Sequence, residues 1–290
     1  ALGSQYDTFD VQTDRFTMLK QMNKLPWEGC VEVRRQPYDV QETAPTPGTP
    51  ATMFVPFFAP DEPDTPSGVY KNTYINDGGS GTWIQREQNH AKYSGAPTKI
   101  DSKHGPNAGC GMQPMIRLTS STASIKTAIN AMTAVGETNI PQGLVWGWHA
   151  LSPNAPLADG AAYGTQHLRK IVILMTDGDN TMTDPGGSNM NRSNYGGLGY
   201  IWQNILGITS GSATARRTAM DNRLTLLCSN MKARDIVIYT VRVEVTSGSS
   251  TVLKNCASDP DKFYDVQDVA QLTAAFDSIA GSIDNLRISK

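Results

Sequence analysis

Residues Ile171 to Thr183 read "IVILMTDGDNTMT". Five apolar residues run straight into Thr176-Asp177-Gly178-Asp179-Asn180. A short, unbroken apolar run is the pattern of a strand buried on both faces of a parallel sheet. Two carboxylates and a glycine at its end raise a question of chemistry. One answer is a divalent-metal site at the mouth of the sheet. A second is a phosphoryl-transfer nucleophile, because Asp177, Asp179 and Thr181 also fit a D-x-D-x-T spacing. A third is a polar turn with no chemistry.

The surrounding chain supports a parallel sheet. Upstream, "IRL" at 116–118 is a short strand candidate. Ser120 or Ser121 can cap a helix over 122–135, with Ile125, Ala128, Ile129 and Met132 on one face. Pro141 suits the first turn of a second helix, striped by Leu144, Trp148 and Leu151. Downstream, a loop of roughly 35 residues follows Asp177, a length usual for functional or disordered loops. A helix is expected over 213–234, carrying Met220, Leu224, Leu227 and Met231. "DIVIYTVRVEV" is a β-branched strand and "KFYDV" a short one. A last helix, about 268–286, bears Leu272, Phe276, Ile279, Ile283 and Leu286. Helices alternating with buried strands from Ile116 onward predict an α/β fold with a mostly parallel sheet. Ligands of such sheets sit beyond the carboxyl ends of the strands, where Asp177 falls.

The first part of the chain has another texture. Residues 36–66 hold eight of the 17 prolines, which rules out a helix or a central strand there. Phe54, Val55, Phe57 and Phe58 make the same stretch too apolar for a free linker. It reads as an ordered, irregular excursion, continued by the Gly-, Asn-, Ser- and Tyr-rich residues 67–113. The expected organisation is therefore 1–26 as a lead-in, 27–113 as an irregular insertion and 114–290 as the α/β part. The opening "ALGSQYDTFDVQTDRF" has neither a capped-helix nor a strand pattern, and reads as the start of a fragment or of a processed form.

Composition narrows the function classes. The chain has 290 residues, a net charge of −2, a pI near 6.1 and a mean hydropathy of −0.36. There is no long basic run and no basic–aromatic interleaving, so nucleic acid is not the expected partner. No apolar stretch approaches the ~20 residues of a membrane helix. Cys30, Cys110, Cys228 and Cys256 contain no C-x-x-C pair, which argues against a zinc ribbon. Their even number fits two disulfides in an oxidising compartment, or four buried thiols in a reducing one. A return crossing after the 213–234 helix would join Cys228 to Cys256 and leave Cys30 and Cys110 to tie the insertion. That is one of three connectivities. Asp61, Glu62 and Asp64 read as a solvated acidic loop or a Ca²⁺ ligand set. His90, His104, His149 and His167 are scattered and receive no ligand role. Trp27, Trp83, Trp146, Trp148 and Trp202 read as packing anchors.

The D-x-D-x-T reading needs a lysine and a further acidic pair. The candidates are Lys232 and Asp259, Asp261 or Asp265, but "SDPDKFYD" does not end an apolar strand. The metal reading gains from "GETN" at 136–139, which puts Thr138 in a loop between two helices, one strand before Asp177. A hydroxyl and a carboxylate with several waters suit Mg²⁺, which takes octahedral oxygen ligands.

Longer segments carry a resemblance. "GETNIPQGLVWGWHALSP", "KIVILMTDGDNT", "LCSNMKARDIVIYTVRV" and "LKNCASDPDKFYDVQDVAQLTAAFDSIAGSIDNLRIS" resemble the von Willebrand factor A domain of TadG-like proteins of tight-adherence (Flp-type) pilus assembly. "WEGCVEVRRQPYDV" and "FVPFFAPDEPD" resemble that subfamily's insertion. The resemblance implies a Rossmann-like fold with a metal-ion-dependent adhesion site, built from a D-x-S-x-S loop, a Thr and an Asp. Thr138 and Asp177 match the last two. No D-x-S-x-S occurs, and "NDGGSG" at 76–81 is the nearest stretch. The family places that loop, the first strand and a transmembrane anchor upstream of the insertion, so the resemblance implies an N-terminal truncation that leaves the sheet with an open edge, or a diverged member. It further implies a non-enzymatic interaction module on the periplasmic or extracellular side of a bacterial envelope, with pilus-assembly or other envelope proteins as partners. Mg²⁺ or another divalent cation would be bound by the full-length protein. The partner-facing surface would comprise Gly136, Asn139, Gly178, Asp179 and Asn180. A Mg²⁺-dependent phosphatase using Asp177 and Asp179, and an envelope domain of purely structural role, are the alternatives.

Overall fold

A computed structural model describes residues 9–11, 13–95, 97, 99–244 and 251–288, the last four of these by their backbone alone. The chain forms two compact units. Unit 1 comprises Ala1–Tyr38, Ala44–Glu137 and Met182–Arg216, and unit 2 comprises Asp39–Thr43, Thr138–Thr181 and Arg217–Lys290.

Unit 1 is irregular, as its prolines require. Its helices are short: α1 (Arg15–Gln21), α2 (Trp83–Gln88) and α3 (Thr122–Asn130). The opening stretch does contain a capped helix, because the Asp14 carboxylate accepts from Thr17 N and starts α1. Apolar burial replaces regular pairing. Phe9, Met18, Leu19, Met22, Phe58, Tyr74 and Tyr93 form one core, where Phe9, Phe58 and Tyr93 meet edge to face. Trp83 and Trp202 meet in the same manner. Cys30 is bonded to Cys110. The expected strand at 116–118 does not form, and Ile116 and Leu118 are exposed. Helix α3 starts at the expected cap, with Ser121 accepting from Ser124 N, but ends at Asn130 rather than near 135. Of its apolar face only Ala128 is buried, while Ile129 and Met132 are exposed.

Unit 2 is an α/β structure with helices on both sides of a parallel sheet. Helix α4 (Ile140–Leu151) precedes strand β1 (Ile171–Thr176), and α5 (Ala213–Lys232) precedes β2 (Val237–Val243). Helix α6 (Thr251–Cys256) precedes β3 (Phe263–Val266), and α7 (Leu272–Ile288) closes the order. The three strands lie in the order β1-β2-β3 and all pair in parallel, Ile171 against Val237 and Thr240 against Phe263.

Strand β2 is the one covered on both faces. Ile238 packs with Leu144, Trp148, Leu224, Leu227 and Met231 of α4 and α5. The alternate residues Tyr239, Val241 and Val243 pack with Val266 and with Ala275 and Ile279 of α7. Side chains alternate along a strand, so each parity meets one helical layer. The apolar run at β1 had predicted double burial there, and the structure corrects this. Val172 and Leu174 pack on the α4–α5 core, but Ile173 and Met175 are 40% and 53% exposed. These two are in register with Tyr239 and Val241 and so share the α7 face. The α7 core covers that face over β2 and β3 and reaches Ile171 at the start of β1, which is an edge strand among the described residues. Leu286, on the expected stripe of α7, lies outside the described side chains.

Cys228 in α5 is bonded to Cys256 in α6, as the return crossing suggested. A strap from the proline-rich region also belongs to unit 2. Val40 is buried in the α4–α5 core, and its carbonyl accepts from Asn230 Nδ2. Asp39 takes a two-pronged bond from Arg223, at 2.7 and 2.6 Å. Glu42 accepts from Ser152 and Tyr163. Asp39→Ala is expected to cost about 2 kcal/mol, the worth of a charge-assisted pair at a partly solvated arginine. A denaturation cycle with Arg223→Ala checks this, and a coupling near zero would reduce the strap to surface decoration.

Candidate functional site

Strand β1 delivers its carboxylates to the end of the sheet where α4 and α5 begin. Thr176 Oγ1 donates to Gly178 O and accepts from Gly178 N, which turns the chain sharply after the strand. Asn180 then enters the protein and is 2% exposed. Its Oδ1 accepts from Ile140 N at the start of α4, and its Nδ2 donates to Asp221 of α5. Thr181 N donates to Thr138 O, and Thr138 N donates to Thr181 Oγ1. The 138–140 and 180–181 segments are thus joined by three hydrogen bonds at 2.8–2.9 Å.

Thr138 is half-buried and fixed through its backbone. Asp177 is exposed and, among the described residues, has no hydrogen-bond or ion-pair partner. Asp179 is exposed and pairs with Arg217 at 3.0 Å. Asn139 is used as the N-cap of α4, accepting from Gln142 N. Gly178 is half-buried, whereas Gly136 is exposed at φ +75° and belongs to unit 1. Two residues at this end escaped the sequence reading, Arg217 and Asp221. They lie one turn apart on α5, on the face beside Met220 and Leu224, and only that spacing could have flagged them. Burial raises the pKa of the Asp221 carboxyl, and the Asn180 hydrogen bond opposes the shift.

Hydroxyl and carboxylate oxygens are the donor type Mg²⁺ takes. Thr138 and Asp177 alone do not make a site for it, and among the described residues no three His, Cys, Asp or Glu side chains meet as a metal-holding group. The residues a D-x-D-x-T enzyme would need lie elsewhere. Lys232 ends α5 and donates to the carbonyls of Asn255 and Ala257. That is the end of the sheet where β2 begins, a strand length from Asp177, or roughly 20 Å at ~3.3 Å per residue. Asp259 and Asp261 pair with Lys262, and Asp265 pairs with Arg242.

The acidic run at 61–64 is not a solvated loop. Asp61 and Glu62 are 0% and 3% exposed. Asp61 Oδ1 accepts from Tyr74 N and Ile75 N, and Glu62 Oε2 from Lys71 N and Asn72 N. Asp64 accepts from Asp77 N. In a segment whose prolines and turns leave amides without ladder partners, these carboxylates satisfy the backbone.

No protein-family model matches the chain, and no curated protein does. Among solved structures it is similar to proximal thread matrix protein 1 from the mussel byssus, at 18% identity and a TM-score of 0.30, over 54% of this chain and 28% of that one. A second crystal form of that protein gives 18% identity and a TM-score of 0.33, over 58% and 31%. The chain therefore spans under a third of the length of the protein it matches, and a likeness this slight assigns neither family nor activity.

Proposed function

We propose that the chain is a non-enzymatic protein-interaction module of a bacterial envelope protein, resembling the von Willebrand factor A domain of TadG-like pilus-assembly proteins. On this reading it recognises a partner with the loops at the carboxyl end of β1. The observation that carries it is Asp177, an exposed carboxylate without a partner among the described residues, on a loop held to the Thr138 loop by three hydrogen bonds. A rigid base presenting a free charge suits recognition, because little entropy is lost on docking. The uncovered Ile173 and Met175 on the edge strand add apolar surface close by, and an open strand edge favours pairing with another chain. Two disulfides accord with an oxidising compartment such as the periplasm. Among the described residues no helix is long and apolar enough to cross a membrane, so anchoring in this reading falls to a segment outside them. Mg²⁺ binding belongs in this reading to the full-length protein, which would supply the ligands that Thr138 and Asp177 lack.

Two measurements test the proposal. A photo-crosslinking residue in place of Asp179 is expected to capture pilus-assembly or envelope proteins in cells, and the same residue at exposed Leu226 is not. Equal capture from both positions, or none from either, would sink the recognition role. With Mg²⁺ present, the chain is expected to release no phosphate from an aryl phosphate ester. Hydrolysis abolished by Asp177→Asn would instead establish the phosphatase alternative.

A further inference from the structure

Unit 1 encloses three carboxyl groups with one lysine. Asp61, Glu62 and Glu87 are 0%, 3% and 1% exposed. Lys92 Nζ lies 2.8 Å from Asp61 Oδ2, with Asp77 a further 3.8 Å contact. Asp77 is itself engaged by Arg86 at 2.5 Å. Glu62 is fully served, since besides the two backbone amides its Oε1 accepts from Tyr200 at 2.9 Å and from Asn191 at 3.3 Å. Glu87 is not. Its Oε2 accepts from Asn191 Nδ2 at 2.7 Å, but among the described residues its buried Oε1 has no hydrogen-bond partner. The amide of Asn191 cannot turn to help. Its Oδ1 accepts from Trp202 Nε1, which fixes Nδ2 toward the two glutamates. Glu87 thus shares one donor group with Glu62, has no ion-pair partner among the described residues, and keeps one buried oxygen without a hydrogen bond there. A carboxylate in that position is costly, whereas a neutral carboxyl is tolerated.

We propose that Glu87, with Asp61 and Glu62 beside it, is a buried proton-holding site that makes unit 1 an acid-favoured fold, loosened as the pH rises. Burial raises the pKa of Glu87 well above the usual carboxyl range, helped by the charges of Glu62 and Asp61 and opposed by Asn191 and Lys92. Burial also pushes Asp61 up to about 6, against the pull of Lys92. A carboxyl whose pKa is higher in the fold than in the open chain stabilises fully below its unfolded value, near 4, and the contribution is lost as the pH climbs to the folded value. The window for Asp61 is therefore about pH 4 to 6, and for Glu87 it extends higher. The tyrosines facing the cluster do not titrate in that window. Burial raises Tyr70, Tyr74, Tyr93 and Tyr200 further above their ordinary value near 10. Burial would also raise Asp77, but the Arg86 hydrogen bond and the charges of Lys92 and Arg86 outweigh it and hold that carboxyl low.

The test is hydrogen exchange of peptides from residues 59–95 in the intact chain, corrected for intrinsic rates, at pH 5.5 and 8. In the wild type the opening equilibrium should rise about tenfold or more between the two, because an opening that releases one proton becomes tenfold more favourable for each step of one in pH. Glu87→Gln should remove most of that rise and be better protected than wild type at pH 8. An unchanged pH slope in Glu87→Gln would overturn the proposal. Should the variant not fold, infrared spectra of wild type carrying carbon-13 at its glutamate carboxyls decide. A protonated glutamate carbonyl band at pH 7 is expected, and its absence overturns the proposal.

Discussion

Replacing Glu32 by alanine is expected to cost unit 1 about 3–5 kcal/mol, the penalty for stranding a buried charge. Arg15 and Glu32 are 0% and 2% exposed, and Arg15 Nη2 lies 3.0 Å from Glu32 Oε1. The same oxygen accepts from the Tyr195 hydroxyl. The guanidinium also lies over the rings of Phe9 and Phe58, at 5.1 and 5.6 Å from their centroids. Burial is the largest influence on the pKa of both partners, lowering Arg15 and raising Glu32. The combined pull of Glu32 and the neighbouring tyrosines leaves Arg15 raised, Glu32 is raised too, and the 3.0 Å contact decides for the ion pair. Alanine removes the carboxylate that faces this charge in the aromatic core. Urea denaturation read by exchange in residues 13–32 measures the loss, and a loss under about 1 kcal/mol would show that the pair contributes little. Arg15→Met with Glu32→Leu should recover much of the stability, because the desolvation cost of both charges then disappears.

The second large effect concerns the Cys30–Cys110 bond. Its partners are 80 residues apart, against 28 for Cys228–Cys256. In the chain-entropy description, removing them as paired alanine variants costs about 4–5 and about 3–4 kcal/mol respectively. Structure sharpens the ranking. Unit 2 has a parallel sheet and long helices to hold it, whereas unit 1 depends on short helices, isolated bridges and buried side chains. Cys30→Ala with Cys110→Ala should therefore unfold unit 1 at a distinctly lower urea concentration, and the Cys228/Cys256 pair should shift unit 2 less. The reverse order would show that core packing at the buried Cys228 and Cys256 outweighs loop entropy.

The architecture of unit 2 was largely legible, because period and burial coincide there. The β-branched "DIVIYTVRV" became the doubly covered β2, and the stripes of α4 and α5 face the sheet, as do Leu272, Ile279 and Ile283 of α7, whereas Phe276 on the same expected stripe is exposed. The Ser121 and Asn139 caps and the Pro141 start were readable from local chemistry alone. Where reading failed, the cause was tertiary. "IRL" at 116–118 has strand composition, but no described strand lies beside it to accept its hydrogen bonds. The Asp61–Asp64 run looked solvated because acidic residues usually are, yet a proline-rich coil has unpaired amides that only side chains could satisfy.

At the candidate site, sequence placed Thr138 and Asp177 at loop ends, where the structure has Thr138 half-buried and Asp177 exposed. It also determined the parallel α/β character and the irregular, proline-rich texture of the first part, and gave an even cysteine count whose pairing into two bonds came from the structure. Tertiary structure alone decided that Asn180 is the buried pin between α4 and α5, that Asp221 and Arg217 stand beside it, and that β1 keeps an uncovered face. Only the fold could also reveal Glu87, an ordinary helix residue in sequence, as a buried carboxyl with no ion-pair partner among the described residues. The reason is range. Periodicity, caps and turns are set by neighbours a few residues away, whereas burial and ion pairing depend on residues brought together from distant parts of the chain, as Glu87 and Asn191 are.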